Sequence, residues 1–426
     1  MRKHMLASCA SIILSVGLFC SMRGATAATE ITVGRLHEID LVRLMQDIVP
    51  DYQGSHPEVT IKVLDSEFEQ DLTTYQSAIG PLPDIFAVVV WTTKKVHELP
   101  YCVRNNLIVP VEELGGDNFM QTSGHFNSLW RCIEYKGKHW GVPFYAESYG
   151  VLMKNADVPL AAIQSPPKTW AELKRVTADS TKDANGDGKP DVWGVALDTD
   201  DDLAGFWFLL SAQLGAKLWD GERFTIAGNS ALIQAFRMIA DLRDSKSLAP
   251  HVSHVHALGY VQNWQFIDEI ERTSGYPPQY WSRTTAYTVI PFPSVGRAAS
   301  LPVLNIYLAV KKTTPEKQAA CWDFVRYATS AQVLAAKSVY KMGYLPIHES
   351  VASSPEFQER VAKMPHLAVF VNTLRDAVPF FPYVERGNEA LETLAGQYLK
   401  ALGGEIRIEE ALSTADEKMN ALVKSR

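Results

Sequence analysis

An uninterrupted apolar run at residues 85–90 requires a strand that is covered on both faces. The chain before it alternates two patterns. Residues 31–33 and 59–63 predict strands, and the apolar stripe through residues 41–48 predicts a helix between them. A polar helical stretch at residues 71–78 precedes the run itself. Strands that alternate with helices imply a parallel sheet, so the sequence predicts an α/β fold.

The first residues have the pattern of a cleavable signal peptide. Arg2 and Lys3 give a positive start, residues 6–19 are largely apolar, and Ala25-Thr26-Ala27 supplies the small residues of a cleavage site. No later segment approaches the roughly 20 apolar residues of a membrane helix. We therefore predict that residues 1–27 are removed and that the mature protein is exported.

Length and charge limit the kinds of protein and of binding partner that fit this sequence. The 426 residues exceed what one hydrophobic core usually serves, so two domains are expected. The formal charge is −7, and loss of the leader removes three positive charges, which argues against nucleic acid or an anionic membrane as a partner. Cys102 and Cys132 are candidates for a disulfide, whereas Cys321 lies on the apolar face of a predicted helix as a buried thiol.

The middle of the chain changes pattern. Residues 141–145 lead into residues 150–153 as an extended stretch that is long enough to cross between two lobes. Helix starts then become explicit. Thr169 and Glu172 form a capping box, and Thr314 precedes a proline at the favoured first helical position.

Seven short motifs, in a shared order across nearly the whole mature chain, carry a resemblance to a known family. They are Leu82-Pro83-Asp84-Ile85-Phe86, Gly141-Val142-Pro143, residues 167–173, residues 185–191, Ile290-Pro291-Phe292-Pro293, residues 322–327 and Gly343-Tyr344-Leu345-Pro346. The chain resembles the extracellular solute-binding protein family 1, which includes the maltose-binding protein. Residues 251–281 show no counterpart of the segment that usually builds one side of the cleft in that family.

The resemblance implies two α/β lobes in the type II periplasmic-binding-protein fold, joined by a hinge. Lobe 1 is expected at residues 28–142 plus 294–342, and lobe 2 at residues 143–293 plus 343–426. A sugar or polyol is expected to bind in the cleft between them without being chemically changed. Closure would then present this small-molecule ligand to an inner-membrane ABC permease. The resemblance further implies a periplasmic protein, and nothing in the sequence demands more than a monomer.

Sugar recognition uses aromatic faces against C–H groups and polar side chains on hydroxyls. Trp91 ends the buried run, and ligands bind beyond the carboxyl ends of strands. Its alternative is a core tryptophan. Tyr145 and Glu147 lie at the crossing, with surface exposure as the alternative for Glu147, while Trp207 is as easily a packed helix residue. The candidate ligand-binding residues are Glu38, Trp91, Tyr145, Glu147, Trp207, Trp281, Asn305, Tyr307 and Tyr344.

A short acidic loop resembles the start of an EF-hand. Its candidate calcium ligands are Asp183, Asn185, Asp187 and Asp191, but the twelfth position, Gly194, lacks the bidentate carboxylate. A turn held by its own side-chain hydrogen bonds is the alternative. No other cofactor is expected.

Two other functions remain open. One is binding of a different solute, such as a polyamine, an opine-like compound or an osmolyte. The other is a secreted carbohydrate-active enzyme. The sequence contains none of the common hydrolase, zinc-protease or phosphate-loop motifs, so we predict no enzymatic activity.

Overall fold

The computed structural model describes residues 28–37, 39–64, 72, 76, 80–91, 98–197, 200–250, 256–262, 286–301, 304–337 and 345–424. The predicted signal peptide, residues 1–27, lies outside them. Among the helices of these ranges, none is long and apolar enough to cross a lipid bilayer.

Five strands form the first sheet: β1 (Thr29–Gly34), β2 (Val59–Val63), β3 (Ile85–Trp91), β6 (Val142–Ala146) and β11 (Leu304–Val310). Their order is β2-β1-β3-β11-β6. As predicted, β1 is parallel to both β2 and β3. Strand β11 runs antiparallel to β3 and β6, so the sheet is mixed. Residues 85–90 are all buried, which confirms the strand covered on both faces.

A second sheet contains β7 (Tyr149–Lys154), β8 (Trp193–Ala196), β9 (His256–Gln262) and β10 (Tyr287–Ile290). Their order is β10-β7-β9-β8, in which β7 is antiparallel to β9 and β10 while β8 is parallel to β9. A small hairpin, β4 (Glu134–Tyr135) with β5 (Lys138–His139), precedes β6.

Helices cover both sheets. In chain order they are α1 (Ile39–Ser55), α2 (Glu98–Arg104), α3 (Asp117–Thr122), α4 (Asn127–Arg131), α5 (Leu160–Gln164), α6 (Trp170–Ser180), α7 (Asp200–Gln213), α8 (Ser230–Asp244), α9 (Pro315–Ala328), α10 (Ala331–Lys337), α11 (Glu349–Ala352), α12 (Pro355–Lys363), α13 (His366–Arg375), α14 (Gly387–Leu402) and α15 (Ile408–Lys424). A 3₁₀ turn occupies Val111–Leu114.

The predicted helix starts are confirmed. Thr169 accepts a hydrogen bond from the Glu172 backbone N–H, and the Glu172 carboxylate accepts from the Thr169 N–H at 3.0 Å, so the capping box of α6 is complete. Thr314 likewise accepts from the Lys317 N–H at the start of α9. These local signals were sufficient because each depends on residues only three positions apart.

Buried apolar side chains form two cores, one around each sheet. The boundaries differ from those predicted. Residues 345–377 were assigned to lobe 2, but their apolar side chains, including Phe357, Phe370 and Leu374, pack in the first core. The buried apolar side chains of residues 381–419 pack in the second core. Strand β6 lies wholly in the first sheet, so the first crossing comes a few residues after the predicted boundary at residue 142. Ala299 and Leu301 pack in the second core, so the return to lobe 1 comes a few residues after the predicted boundary at residue 294.

In the part of the chain that the structure describes, three segments connect the lobes. Residues 147–148 join β6 of the first sheet to β7 of the second, as the extended stretch predicted, and residues 291–301 lead back from β10 towards β11. The third is the link after α13, where Ser300 donates to the Asp376 carbonyl and accepts from the Val378 N–H, both at 2.9 Å. The Glu147 N–H donates to the Leu304 carbonyl at 3.0 Å. The crossings therefore run side by side and form one hinge.

Helix α13 reinforces this hinge. It contacts α4 of the first lobe and also β7 and β10 of the second. Ser148 Oγ donates to the Phe370 carbonyl at 2.8 Å, and Ser128 Oγ donates to the Leu374 carbonyl at 2.6 Å. A Cβ on Gly150 would lie 2.6 Å from Val289 Cγ1, so only glycine lets β10 and α13 approach β7 this closely.

Candidate functional site

The registers of the two sheets place one edge of each beside the hinge. In the first sheet, the carboxyl end of β3 pairs with the start of β11, since Trp91 is opposite Leu304, and the end of β6 reaches the same edge. In the second sheet, Tyr149 at the start of β7 is opposite Gln262 at the end of β9. Because β6 continues into β7 through residues 147–148, the two edges meet there. We call this seam the cleft edge.

Tyr145 and Glu147 lie at the cleft edge on one face of the first sheet. Their exposed fractions are 5% and 2%, and the Tyr145 hydroxyl donates to Glu147 Oε1 at 2.5 Å. Tyr145 is opposite Ile306 in the register, which fixes the face. Burial of a carboxylate is costly unless it accepts hydrogen bonds. Glu147 is therefore a buried acceptor and not the exposed side chain that was its alternative reading.

Asn305 and Tyr307 occupy the opposite face of the same sheet, with exposed fractions of 1% and 0%. The Tyr307 hydroxyl donates to the Leu129 carbonyl at 3.0 Å and accepts from Asn305 Nδ2 at 3.3 Å. Burial raises the pKa of Tyr307 well above its usual value, so the phenol stays a donor. Because the Tyr307 hydroxyl already donates to Leu129, the amide atom that faces it must be the donor Nδ2, and Oδ1 points away. No donor among the described residues reaches Asn305 Oδ1.

The four predicted crossing residues thus divide into two pairs on opposite faces. A bulge between Ile306 and Tyr307 shifts the register against β6, so Asn305 is opposite Ala146 while Tyr307 is opposite Pro143. Both faces contribute an acceptor at the cleft edge. They are the carboxylate of Glu147 and the amide oxygen of Asn305.

A buried ion pair below the cleft edge was missed by sequence reasoning. Arg35 follows β1 with a positive φ of 50°, and its guanidinium pairs with Glu98 at the start of α2. The exposed fractions are 2% and 0%, and Arg35 also donates to the Ala87 carbonyl at 2.8 Å. Glu98 Oε2 accepts from the Val89 N–H at 3.3 Å. The pair holds the turn after β1 against β3. The only sequence signal for it was the position of Arg35 directly after a strand.

Other candidates fall elsewhere. Trp207 is fully buried in the second core, stacked on Tyr398 with ring centroids 4.4 Å apart, and its indole N–H donates to the Leu232 carbonyl at 3.0 Å. This is the packed-helix alternative, and the structure does not bring Trp207 to the cleft edge. The backbone of Trp91 ends β3 at that edge, as predicted. Glu38, Trp281 and Tyr344 lie outside the described residues.

The acidic loop forms a turn held by its own carboxylates. Asp183 accepts from the N–H groups of Gly186 and Gly188 at 2.7 and 2.8 Å, and Asp191 Oδ2 accepts from the Ala184 N–H at 2.6 Å. Asn185 Oδ1 and Asp187 Oδ1 each accept from a backbone N–H at 2.8 Å. These bonds account for the loop without an ion, and within the described ranges no three acidic, histidine or cysteine side chains are grouped to hold a metal. Calcium binding remains an untested prediction.

All three cysteines of the described residues are free and buried. Cys102 and Cys132 do not pair, so the candidate disulfide is absent, and Cys321 is the buried thiol that was predicted. Burial raises the pKa of Cys132 to about 12 and that of Cys321 to about 12. The thiols are therefore inert at neutral pH.

Solved structures share this two-lobe fold. The cyclic α-maltosyl-1,6-maltose binding protein from Arthrobacter globiformis superposes with a TM-score of 0.75 at 20% identity, covering 94% of this chain and 100% of that one. The sugar-binding protein MalE from Xanthomonas citri gives 0.74 at 17% identity, covering 93% and 97%. UgpB from Mycobacterium tuberculosis, in complex with glycerophosphocholine, gives 0.69 at 14% identity, covering 93% and 98%. These matches confirm the predicted fold class.

Sequence comparison supplies the family. No curated protein matches the chain. The model of the bacterial extracellular solute-binding protein family matches residues 47–366, which is most of the chain and includes segments of both lobes and the first two crossings. The chain belongs to the bacterial extracellular solute-binding protein family.

Proposed function

We propose that this protein is exported to the periplasm as the binding component of an ABC importer, where it captures a sugar or polyol between its lobes. The observation that carries the proposal is the pair of buried acceptors, Glu147 and Asn305 Oδ1, at the seam of the two sheets. A polyol offers several hydroxyl donors at fixed spacing. Acceptors at the end of β6 and at the start of the neighbouring β11 suit such a ligand.

The chemistry of the cleft edge also favours a hydroxyl-rich ligand. Asn305 Oδ1 is buried without a donor, and an unsatisfied buried acceptor costs about 1–3 kcal/mol. A ligand hydroxyl that reached this atom would recover that energy. Tyr145 stands beside Glu147, which gives the carboxylate an aromatic neighbour of the kind that packs on sugar C–H groups.

Relatives with this fold support the same ligand class. The Arthrobacter globiformis and Xanthomonas citri proteins are described as binding a cyclic maltosyl-maltose and sugar, respectively, and UgpB was solved with glycerophosphocholine. All three ligands carry free hydroxyls. The glycerophosphocholine complex also keeps open a cationic ligand, for which the Glu147 carboxylate would be the natural partner.

The hinge suggests how binding would be signalled. Three side-by-side crossings allow the lobes to rotate, and a ligand that contacts both lobes stabilises the closed arrangement. An ABC permease would then distinguish the closed protein from the open one. On this proposal the protein acts as a monomer and leaves its ligand chemically unchanged.

A thermal-shift screen tests the proposal. The mature protein is heated with sugars, polyols, amino acids, polyamines and choline esters, each at millimolar concentration. A ligand at 100 times its Kd stabilises the native state by about 2.7 kcal/mol, which raises Tm by a few degrees. Chromatography of the recovered ligand checks for turnover. If no sugar or polyol raised Tm, or if a product appeared, the proposal would be contradicted.

Two variants then locate the site. Asn305→Ala should reduce the ligand-induced shift, whereas Asn118→Ala, at an exposed position of α3, should leave it unchanged. Glu147→Gln keeps a hydrogen-bonding side chain but removes its charge. It should weaken the binding of a neutral sugar modestly and the binding of a cation severely, so the change in affinity distinguishes the two ligand classes.

A further inference from the structure

A second groove lies away from the cleft edge, between the two lobes. It has a volume of about 340 Å³, within the range of small-molecule sites. Its walls include Glu134, Lys217, Trp219, Arg297, Phe380 and Tyr383. Glu134 belongs to the hairpin before β6, and residues 216–219 follow the carboxyl end of α7. None of the residues that line the groove is one of those at the cleft edge, so the groove is a separate site.

Both lobes contribute to this groove. Tyr383 contacts the first lobe, where its hydroxyl donates to the Cys132 carbonyl and its ring lies 6.0 Å from that of Tyr135. Phe380 contacts the second lobe, with its ring 5.5 Å from that of Phe208. The segment 378–383 therefore forms a floor that continues from the third crossing, and the half-buried rings of Phe380 and Tyr383 offer an aromatic surface.

The charge of the groove is opposite to that of the protein. Two cations, Lys217 and Arg297, stand against one carboxylate, Glu134, although the whole chain carries −7. Neither cation has a carboxylate partner among the described residues. Lys217 is exposed, and it is one of the residues that line the groove.

Arg297 is held in place before any ligand arrives. Its Nε donates to the Ala212 carbonyl at 2.9 Å and its backbone N–H donates to the Gln213 carbonyl at 3.0 Å. A Cβ on the neighbouring Gly296 would lie 2.4 Å from the Gln213 carbonyl oxygen, so the segment is pressed against the end of α7. The Nε contact leaves the two terminal nitrogens of the guanidinium to bind a carboxylate in two-pronged fashion.

We propose that this groove is a second binding site, for an organic anion that carries an aromatic or similarly flat apolar body. The body would lie on Phe380, Tyr383 and Trp219, and its carboxylate or sulfonate would bind Arg297 and Lys217. The site is distinct from the cleft edge. Since its walls come from both lobes, its occupant contacts each of them.

Calorimetric titration with naphthalene-2-carboxylate tests the site, with naphthalene-2-carboxamide as the uncharged analogue. The carboxylate should bind more tightly than the carboxamide. Lys217→Ala/Arg297→Ala should weaken the carboxylate roughly tenfold, as expected for two partly exposed ion pairs, and leave the carboxamide unchanged. The control Lys400→Ala/Lys418→Ala removes two exposed charges from α14 and α15 of the same lobe and should change neither Kd.

Three results would overturn the proposal. One is that the native protein does not bind the carboxylate, and another is that it binds the carboxamide equally well. The third is that the groove variant binds the carboxylate as tightly as the control variant, which would place the probe elsewhere, including in the cleft. Circular dichroism melting of both variants confirms that the exposed substitutions leave the fold intact.

Discussion

Acidification should destabilise this protein through histidines that are buried in the neutral form. His348 and His366 have exposed fractions of 1% and 7%, and burial lowers the pKa of each from 6.5 to about 4. His125 stacks against His348 with ring centroids 3.9 Å apart, and burial followed by the His348 charge lowers its pKa well below the usual value. A carbonyl only accepts, so His125 Nε2 carries the proton that faces the Pro143 carbonyl at 3.1 Å.

The magnitude follows from the shift. Between about pH 6.5 and pH 4 the unfolded chain binds a proton at each site that the folded protein does not, so stability falls as pH decreases through this window. One pKa unit corresponds to about 1.4 kcal/mol, so each fully shifted histidine contributes about 3 kcal/mol over the whole window. At pH 5 roughly 2 kcal/mol of this has been lost for His348, and a similar amount for His366.

Urea unfolding followed by circular dichroism at pH 7.5, 6 and 5 measures the effect. Carboxylates also titrate at the acidic end, so the comparison is between variants. His348→Asn retains a donor toward the Thr329 carbonyl but does not titrate, and its loss of stability from pH 7.5 to 5 should be smaller than that of the native protein by about 2 kcal/mol. Asn118→Ala, an exposed substitution that removes no titrating group, should keep the native slope. Equal slopes for all three proteins would refute the reasoning.

Two further substitutions test the packing. Glu98→Ala leaves the Arg35 guanidinium buried without its partner and should lower the free energy of unfolding by about 3–5 kcal/mol, measured in urea. The double variant Arg35→Met/Glu98→Leu removes both charges and should lower it by less. The reverse order would argue against a paired charge. Gly194→Ala places a Cβ 2.1 Å from the Thr177 carbonyl oxygen and should lower the free energy of unfolding by about 1–3 kcal/mol. The control Gly54→Ala, with open space around it, should raise Tm slightly. Equal effects would contradict the close approach of Gly194 to Thr177.

Local sequence signals predicted their elements well. The capping box at Thr169 and the buried strand at residues 85–90 depend on near neighbours, and both are present as predicted. The crossing at residues 141–153 was also correct, because this extended stretch is long enough to pass from one sheet to the other. Order and spacing of short motifs identified the family, and with it the two-lobe fold.

Features that depend on distant pairings could not be predicted. The antiparallel direction of β11 is set by β3, more than two hundred positions earlier in the chain. The bulge that places Tyr307 opposite Pro143 has no local signature. Residues 345–377 are helical by pattern, but which sheet they cover depends on contacts such as that between Leu374 and Ser128. The partner of Arg35 is equally remote, since Glu98 is 63 positions away.

The burial of every described thiol has a practical consequence for following lobe motion. Reagents that attack thiolates have no exposed native target in the described chain, and the raised pKa of Cys132 and Cys321 further suppresses their reaction. Two cysteines introduced on the outer surfaces of opposite lobes would be the only exposed thiols among the described residues, so fluorophores would attach there. Energy transfer between such dyes could then record opening and closing in single molecules without first removing Cys102, Cys132 or Cys321 from the first core, in which all three are packed.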